Sequence, residues 1–487
     1  MTIRVLNIIP IAVYDGEVSL GPLYVSSALK QAGFSSFVYS LNLFQELKYF
    51  KQRYKWILRQ FEEVFETIKP DVITFSVLST NNQIAEFLAK YIKEKRDVHI
   101  VFGGIHAIID HHNIINKSYI DAVCTFEGEY SLPEYLDRYF NNNLADENDL
   151  NITYKKDNQV VKGIATNCFK HLDEYPFPDR SSFFKYYDTG LMTVANVITG
   201  RGCPYKCHYC NATMLNDNKG FLRYRTSENV IEEIIQLKNE YHIEKVIFSD
   251  ETFTLKKNRL HDFLSLYRSK IDLPFVCQTR VECVDPDIAE VLAKSGCVSI
   301  TMGIESGSEQ IRKRHLNRRM SNDKIGSSFS LLKEQGVTVN AFNMIGLPEE
   351  KEEDIWEGIL LNRSAKVDNA YCTIFMPFKG TKIYDWYSSN ETIIGEPGLD
   401  YYNDIIIKHP NISSMKLKLY ADNYQQLVES TRKSMPLHLV IILVFKYIFK
   451  RKAKRILTEL FKVIVWMVIK NAKLKFVLKR VYMKIFT

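Results

Sequence analysis

The chain has 487 residues, of which 46% are hydrophobic and 25% are charged. These values are ordinary for a globular protein and predict two or three domains. Nine cysteines, an odd number in a chain whose first residues run directly into an apolar strand, argue against an exported disulfide framework. They predict reduced thiols in the cytoplasm. The net charge of +7 is uneven, because residues 446–487 contain 13 Lys or Arg and one acidic residue. That segment therefore carries +12, and the other 445 residues carry −5.

Residues 1–140 alternate short apolar runs with stretches of helical periodicity. The apolar runs lie at 3–10, 36–41, 71–76, 99–103 and 122–125, and the helical stretches lie at 20–33, 50–69 and 80–95. This alternation predicts an α/β domain with a parallel, doubly wound sheet of the flavodoxin-like kind. Ligands of such sheets bind beyond the carboxyl ends of the strands, which here are residues 76–80, 103–106 and 127–129.

Residues 141–188 have a different character. Residues 141–149 form a polar linker, and residues 152–154 and 160–164 are expected to form a small hairpin. Pro176 and Pro178 then predict a rigid crossing into the next domain, because proline fixes the backbone φ angle.

Three cysteines follow in one short loop, Gly202-Cys203-Pro204-Tyr205-Lys206-Cys207-His208-Tyr209-Cys210. Iron–sulfur cubanes are normally held by four thiolates, so three can leave one iron open to bind a reactant. A structural zinc site instead takes four protein ligands. The spacing favours a cluster with an open iron, while zinc or a disulfide remain alternatives.

The loop resembles that of radical S-adenosylmethionine (SAM) enzymes, whose CxxxCxxC pattern reads here as Cys203, Cys207 and Cys210, with Tyr209 before the last cysteine. The resemblance implies a [4Fe-4S] cluster on these thiols. Strand and helix patterns then alternate about six times to Met376, beginning with a helix that Ser227 is expected to cap. This repetition predicts the (βα)6 partial TIM barrel of that family. Only two cysteines precede the loop and none follows Cys372, which predicts a single cluster.

The resemblance also implies contacts with SAM at the carboxyl ends of the barrel strands. The expected cofactor-binding residues are Tyr209, Asp250, Glu251, Arg280, Glu305, Ser306 and Met344. Asp250 or Glu251 would hold the amino group, Glu305 and Ser306 the ribose and methionine, and Met344 the adenine. Arg280, like Gln278, would face the cavity or the substrate. Each has a structural alternative: a helix N-cap for Asp250 or Glu251, a salt bridge with Glu282 for Arg280, and plain core for Met344.

The first domain resembles the cobalamin-binding domain that precedes the barrel in a large radical SAM subfamily. The matching segments are Ser19-Leu20-Gly21-Pro22-Leu23-Tyr24, Pro70-Asp71-Val72-Ile73-Thr74-Phe75-Ser76, Gly103-Gly104-Ile105-His106 and Glu127-Gly128-Glu129. The implied cobalamin contacts are Ser76, Thr80, Gly103, Gly104, Glu127 and Gly128. A doubly wound domain that binds a nucleotide, or no ligand, is the alternative.

The loop after the first strand, residues 11–17, lacks the histidine with which some cobalamin domains ligate cobalt. His111 and His112 come later and are interpreted as surface residues of a loop. The resemblance therefore implies a lower axial position that is empty, filled by water or covered by side chains.

The tail combines large aliphatic residues with interleaved lysines. Its apolar run 437–449 is shorter than the roughly 20 residues that a membrane-spanning helix needs. Basic amphipathic helices of this composition predict contact with an anionic membrane surface, an acidic partner or a hydrophobic substrate. In the first case the protein would be peripheral on the inner face of the cell membrane. No nucleic acid partner is expected, because aliphatic residues dominate. The alternative is a helical cap packed on the barrel.

Four segments are predicted in all: a cobalamin-binding-like domain at 1–140, a linker and hairpin connector at 141–188, a radical SAM core at 189–385, and a C-terminal region at 386–487 with basic amphipathic helices. The resemblance implies a cobalamin-dependent enzyme that cleaves SAM to a 5′-deoxyadenosyl radical and methylates an unactivated carbon through methylcobalamin. Its partners would be a low-potential electron donor of flavodoxin or ferredoxin type and a small, amphiphilic substrate.

Two other functions remain open at this stage. One is radical cyclisation or oxidative rearrangement without methyl transfer, as in the anaerobic porphyrin-ester cyclase branch. The other is a non-catalytic, membrane-associated sensor of cobalamin or of an iron–sulfur cluster.

Overall fold

The structure, a computed structural model, describes residues 2–10, 19–41, 53–144, 149–157, 159–163, 170–184, 193–215, 220–397 and 404–430. Residues 446–487, 11–17 and 185–192 lie outside these ranges, and with them the predicted basic amphipathic helices of the tail. None of the described helices is long and apolar enough to cross a membrane.

The N-terminal domain is a seven-stranded sheet with helices on both faces. Its strands are β1 (Arg4–Ile9), β2 (Ser35–Ser40), β3 (Val72–Ser76), β4 (His99–Gly103), β5 (Ala122–Cys124), β6 (Ile152–Lys156) and β7 (Gln159–Val161). Its helices are α1 (Leu20–Gln31), α2 (Arg53–Ile68), α3 (Asn82–Lys95), α4 (Ile105–Ile114) and α5 (Gly128–Phe140).

The strand order in this sheet is β2-β1-β3-β4-β5-β6-β7. Strands β1 to β5 are parallel, while the hairpin of β6 and β7 adds two antiparallel strands at one edge. One face packs a core that includes Phe61 and Leu88, and the other packs Leu29 and Tyr135. The predicted flavodoxin-like, doubly wound domain and the predicted hairpin are both confirmed.

A short connector leads to the barrel and fastens the two domains together. Helix α6 (Arg180–Phe184) begins just after Asp179, whose buried carboxylate pairs with Lys30 of α1 at 2.7 Å. Arg180 pairs with the buried Glu233 of the barrel at 2.7 Å. Lys30 is partly exposed, whereas Arg180 and Glu233 are both buried. Because a buried ion pair needs good geometry to offset the desolvation of its charges, the Arg180–Glu233 pair fixes the crossing that the two prolines predict.

The barrel consists of a six-stranded parallel sheet wrapped by helices. The strands are β8 (Val194–Val197), β11 (Lys245–Phe248), β12 (Phe275–Thr279), β13 (Cys297–Glu305), β14 (Thr338–Ile345) and β15 (Asn369–Ile374), and the short strands β9 (Gly200–Arg201) and β10 (Arg223–Tyr224) form a hairpin beside them. The helices are α7 (Ser227–Tyr241), α8 (Lys257–Lys270), α9 (Pro286–Lys294), α10 (Glu309–Arg314), α11 (Asn322–Glu334), α12 (Glu352–Ser364), α13 (Lys382–Ser389) and α14 (Ser414–Glu429).

The sheet order is β15-β14-β13-β12-β11-β8, and within the described residues β15 and β8 do not pair. The predicted (βα)6 partial barrel is therefore confirmed as an open barrel. Helix α7 illustrates the sequence pattern that predicts the barrel helices, because its apolar residues Val230, Ile234 and Leu237 recur at helical spacing and are buried. Its predicted cap is wrong by one position, because Thr226 rather than Ser227 accepts the bond from the backbone N–H of Asn229.

Candidate functional site

The three-cysteine loop follows β9 at the carboxyl end of β8. Gly202 begins it with a φ of 97°, and a Cβ there would lie 3.0 Å from Phe221 and Leu222, so only glycine fits. Cys203, Cys207 and Cys210 are all free thiols, with Cys207 buried and the other two partly buried. The structure therefore contradicts the disulfide alternative.

Each thiol of the loop has a different neighbour. Arg280 Nη1 donates a hydrogen bond to Cys207 Sγ at 3.0 Å, and Cys203 Sγ lies 3.7 Å from Thr252 Oγ1. Burial raises the pKa of Cys210 to about 11, and the neighbouring thiols and Glu305 add to the rise. The ring of His208 is not turned toward the thiols, since its Nδ1 lies 3.2 Å from the carbonyl oxygen of His315.

Among the described residues, no three His, Cys, Asp or Glu side chains converge tightly enough to hold a single metal ion. The donor set of the loop is three free thiols without a fourth ligand. Three thiolates are the protein ligands that a [4Fe-4S] cluster with one open iron requires, so the residues fit such a cluster.

Two predicted SAM residues meet in a buried network beside the loop. Tyr209 OH donates to Glu305 Oε1 at 2.9 Å, and the Arg318 guanidinium donates to the same carboxylate oxygen at 2.9 Å and to Tyr209 OH at 3.1 Å. Glu305 ends β13 with a φ of 68° and folds back over Gly303, where a Cβ would lie 2.0 Å from its Oε1. Burial raises the pKa of Glu305, while Arg318 opposes the rise.

The other predicted SAM residues lie at neighbouring strand ends. Both carboxylate oxygens of Asp250 are engaged by Thr199, through its backbone N–H at 3.0 Å and its hydroxyl at 2.7 Å, whereas Glu251 is exposed. Neither caps a helix, because α8 begins after Lys256. Burial nevertheless raises the pKa of the Glu251 carboxyl group, and hydrogen bonds from the backbone N–H groups of Glu251 and Gly202 oppose the rise.

Ser306 and Met344 are placed differently from each other. The hydroxyl of Ser306 accepts a hydrogen bond from the backbone N–H of Ser308 at 3.3 Å, and its carbonyl accepts one from Arg312 at 2.5 Å. Met344 packs against an apolar cluster that includes Leu347 and Phe375. Their contacts with SAM remain predictions.

The N-terminal domain contains a cavity of about 180 Å³ at the carboxyl ends of β1, β3, β4 and β5. Its lining includes five of the six predicted cobalamin contacts, namely Ser76, Gly103, Gly104, Glu127 and Gly128. Apolar side chains such as Ile8, Val25, Phe75 and Leu132 complete the walls. Apolar walls with a few polar groups are typical of cofactor sites. Thr80 is not among the lining residues.

The backbone of Gly104 adopts a φ of 89°, and a Cβ there would lie 2.8 Å from the backbone of Val77. A side chain at this position would therefore displace the loop between β3 and α3 and alter the cavity. His111 and His112 lie in the last turn of α4, so their assignment to a loop was wrong, although His112 is exposed. His106 is buried, and its Nδ1 lies 3.0 Å from Ser79 Oγ.

Ion pairs join the cavity to the cysteine loop. Arg201 donates to Glu127 Oε1 at 3.0 Å and to Glu129 Oε1 at 2.6 Å, and Arg223 also pairs with Glu127. Both carboxylates line the cavity, and Arg201 lies two positions before Cys203. The carboxylates of segment 127–129 thus contribute strong side-chain electrostatics to the cavity.

Comparison with known families identifies both domains. Residues 9–136 match the family described as the B12 binding domain, and residues 197–361 match the Radical SAM superfamily. The chain combines a B12-binding domain with a radical SAM domain. The radical SAM domain implies a [4Fe-4S] cluster, SAM and an electron donor, and the B12-binding domain implies cobalamin. The domain boundaries drawn from the sequence stay predictions.

Several relatives of this radical SAM protein are known. The uncharacterized methyltransferase PH0819 of Pyrococcus horikoshii is 27% identical over 342 residues, which cover 69% of this chain and 73% of the relative. The anaerobic magnesium-protoporphyrin IX monomethyl ester cyclase of Rubrivivax gelatinosus is 25% identical, over 67% of this chain and 60% of the relative. The radical SAM methyltransferase TsrM of Kitasatospora setae, solved with cobalamin and a [4Fe-4S] cluster, has a TM-score of 0.65 at 16% identity, over 80% of this chain and 75% of that chain. This structural likeness shows the shared fold.

The sequence analysis of the radical SAM domain missed Arg318 and Glu350. Glu350 is buried in the loop after β14, where its Oε2 accepts hydrogen bonds from the backbone N–H groups of Gly346 at 2.5 Å and Leu347 at 3.2 Å. It therefore stabilises the turn that follows Met344, the residue predicted to contact adenine. The available signal would have been a Glu two residues after Leu347-Pro348, close behind the predicted strand end.

Glu350 gives a pH-dependent prediction. Burial raises its pKa from 4.5 to about 8, so the folded protein keeps a proton that the unfolded chain has lost. Its contribution to stability is complete below pH 4.5 and is lost as the pH rises toward 8. The free energy of unfolding of the native protein should therefore fall between pH 4.5 and pH 8, by at most about 1.4 kcal/mol per pH unit. Glu350→Gln cannot titrate at this position, so its free energy of unfolding should lack this fall. Thermal melting from pH 5 to pH 8 measures the difference, and equal pH dependence for both proteins would contradict it.

Proposed function

We propose that this radical SAM protein methylates an unactivated carbon of a small molecule. When bound, the reduced [4Fe-4S] cluster supplies the electron that cleaves SAM to a 5′-deoxyadenosyl radical, and methylcobalamin supplies the methyl group. The residues of the chain bind these cofactors, orient them and shield the site from water.

The single observation that carries the proposal is the electrostatic link between the two cofactor sites. Glu127 and Glu129 line the cavity of the B12-binding domain, and Arg201, which binds both, lies two positions before Cys203. Methylation through two cofactors requires that both face one substrate. The ion pairs of Arg201 with Glu127 and Glu129 hold the B12-binding cavity and the cysteine loop close together, which supports this requirement.

Individual roles follow from the contacts. Cys203, Cys207 and Cys210 would hold the cluster. The carboxylate of Asp250 or of Glu251 would hold the SAM amino group, and Asp250 also fixes Thr199. These assignments rest on geometry and on the family resemblance.

The network of Tyr209, Glu305 and Arg318 would hold the ribose. A carboxylate fixed by an arginine and a phenol can accept hydrogen bonds from sugar hydroxyls without reorganising. Met344 lies one strand further along and offers an apolar edge for adenine. Ser76, Thr80, Gly103, Gly104, Glu127 and Gly128 remain the proposed cobalamin contacts.

The experiment is a product analysis under anaerobic conditions. The protein is reconstituted with iron, sulfide and cobalamin, reduced, and supplied with trideuteromethyl-SAM and a metabolite extract. Methylation predicts equal amounts of 5′-deoxyadenosine and S-adenosylhomocysteine, together with a deuterium-labelled extract component. Formation of 5′-deoxyadenosine without S-adenosylhomocysteine or label would contradict methyl transfer.

The similarity to the magnesium-protoporphyrin ester cyclase favours a second candidate, radical cyclisation or oxidative rearrangement. The same assay separates the two functions, because cyclisation consumes SAM without releasing stoichiometric S-adenosylhomocysteine. A non-catalytic sensor would form neither product, so reductive cleavage of SAM would eliminate that alternative.

We further propose an amphiphilic substrate, an electron donor of flavodoxin or ferredoxin type, and a cytoplasmic protein peripheral on the inner face of the cell membrane. Support comes from the composition of residues 446–487, with 13 basic residues among large aliphatic ones. Anionic lipid surfaces attract such segments.

Vesicle binding tests the membrane proposal. Each basic residue near an anionic surface contributes about 1 kcal/mol, so replacing four of them by glutamine should weaken binding about a thousandfold. The four residues are Arg451, Lys452, Lys454 and Arg455. Cosedimentation with phosphatidylserine vesicles measures the effect, and phosphatidylcholine vesicles test its charge dependence.

A matched control replaces four exposed lysines in the described domains. They are Lys55, Lys90, Lys270 and Lys366. This variant should bind like the native protein. Equal binding of the native protein to neutral and anionic vesicles, or equal losses in both variants, would refute the membrane proposal.

A further inference from the structure

Arg280 is held in one orientation at the end of β12. It precedes a short 3-10 turn, and its carbonyl accepts a hydrogen bond from the backbone N–H of Cys283 at 3.0 Å. Its guanidinium lies 3.7 Å from the ring centroid of Tyr205, inside the cysteine loop, and Nη2 donates to Glu282 Oε1 at 2.6 Å. The aromatic face and the carboxylate together fix the plane of the guanidinium.

The remaining terminal nitrogen points at sulfur. Arg280 Nη1 lies 3.0 Å from Cys207 Sγ, and the contact is buried. The sequence analysis assigned Arg280 to SAM or to a salt bridge with Glu282. The salt bridge exists, but the second terminal nitrogen is engaged by the cysteine of the loop that is most buried.

The other two cysteines lack such a partner among the described residues. The neighbour of Cys203 is the hydroxyl of Thr252, and Cys210 lies near the carboxylate of Glu305. The three thiols therefore differ in their electrostatic surroundings, because the Arg280 guanidinium contacts Cys207 alone among them. Hydrogen bonds to cluster sulfurs and the net charge around a cluster set its reduction potential.

We propose that Arg280 is a positioning residue that raises the reduction potential of the cluster by donating an N–H bond to the Cys207 thiolate. This inference rests on the proposed function, because it requires a cluster on the loop. In the step concerned, one electron passes from a low-potential one-electron donor, which is oxidised, to the cluster, which is reduced. A guanidinium beside the thiolate stabilises the additional negative charge of the reduced state.

The test is a redox titration of the reconstituted protein, followed by electron paramagnetic resonance. Arg280→Gln should bind a full complement of iron and show a midpoint potential at least about 59 mV more negative, which is a tenfold change for one electron. Arg280→Lys keeps the charge but loses the planar fork, so its shift should be smaller. SAM cleavage by Arg280→Gln should recover when a stronger chemical reductant replaces dithionite.

Arg363→Gln is the matched control, because Arg363 donates to the carbonyls of Leu427 and Val428, remote from the loop. Its potential should equal that of the native protein. An unchanged potential in Arg280→Gln, with or without weakened SAM binding, would overturn the inference. If that variant fails to bind iron, an unchanged potential in Arg280→Lys would overturn it equally. Absence of a cluster from the native protein would instead contradict the proposed function.

Discussion

Cys207→Ala is expected to reduce SAM cleavage to the background level. The side chain removed is the buried thiol of the three-cysteine loop, and Arg280 donates to it. Two remaining thiolates cannot hold a cubane that normally needs at least three protein ligands, so iron content should fall with activity. Liquid chromatography of 5′-deoxyadenosine after anaerobic reduction measures the effect, and iron analysis shows its cause.

Cys297→Ala is the matched control for this variant. Cys297 is also a buried free cysteine, but it begins β13 at the opposite end of the barrel from the loop. A buried thiol of this kind acts as a small apolar side chain, so the variant should retain its cluster and its activity. Substantial SAM cleavage by Cys207→Ala, or equal losses in the two variants, would contradict the assignment of the loop.

Arg201→Ala is expected to weaken cobalamin binding by at least tenfold, which corresponds to about 1.4 kcal/mol. The variant leaves the buried carboxylate of Glu129 unpaired and deprives Glu127 of one of its two arginines. Removing one member of a buried ion pair typically costs about 3–5 kcal/mol. Glu127 and Glu129 both line the cavity, so a carboxylate that turns toward water after losing its arginine would change the shape of the cavity wall. Equilibrium dialysis with hydroxocobalamin measures the affinity.

Arg138→Ala provides the comparison within the same domain. Arg138 also pairs with two carboxylates, those of Glu134 and Asp149, but these pairs are largely exposed. Exposed pairs contribute about 0–1 kcal/mol, so cobalamin affinity should be unchanged. Adding Glu129→Gln to Arg201→Ala should restore part of the affinity, because it removes the unpaired charge. Native affinity in Arg201→Ala would refute the coupling of the two sites.

Sequence patterns predicted what depends on neighbours along the chain. The apolar alternation placed β1 to β5 within one or two residues, and the cysteine spacing identified the loop. Tyr209 and Glu305, 96 positions apart, were both assigned to the same cofactor, and the structure brings them to 2.9 Å. The barrel made this prediction feasible, because strand carboxyl ends converge on one face.

Contacts that depend on tertiary packing were not predicted. Arg318 lies in the connection between α10 and α11, where no local pattern distinguishes it from Arg319, yet it is buried against Glu305. Arg201 likewise finds its carboxylates in another domain. Charged residues at loop positions are mostly exposed, so the sequence alone offers no reason to bury these two.

Local competition explains the smaller errors. Thr226 and Ser227 are both good caps, and the backbone of Thr226 is extended with φ −65° and ψ 153°, which lets its hydroxyl accept the capping bond. Asp250, whose contact with SAM stays a prediction, also binds Thr199, which lies just after the adjacent strand β8. A buried carboxylate takes the nearest donors, and their identity becomes visible only once the strands are paired.

Cys203, Cys207 and Cys210 are proposed to hold a [4Fe-4S] cluster that cleaves SAM. The most direct measurement is electron paramagnetic resonance of the anaerobically reconstituted, reduced protein, with and without SAM. A reduced-cluster signal that changes when SAM is added, together with the appearance of 5′-deoxyadenosine, is the predicted result. Zinc bound to the loop in place of iron, or a reduced protein without any cluster signal, would contradict it.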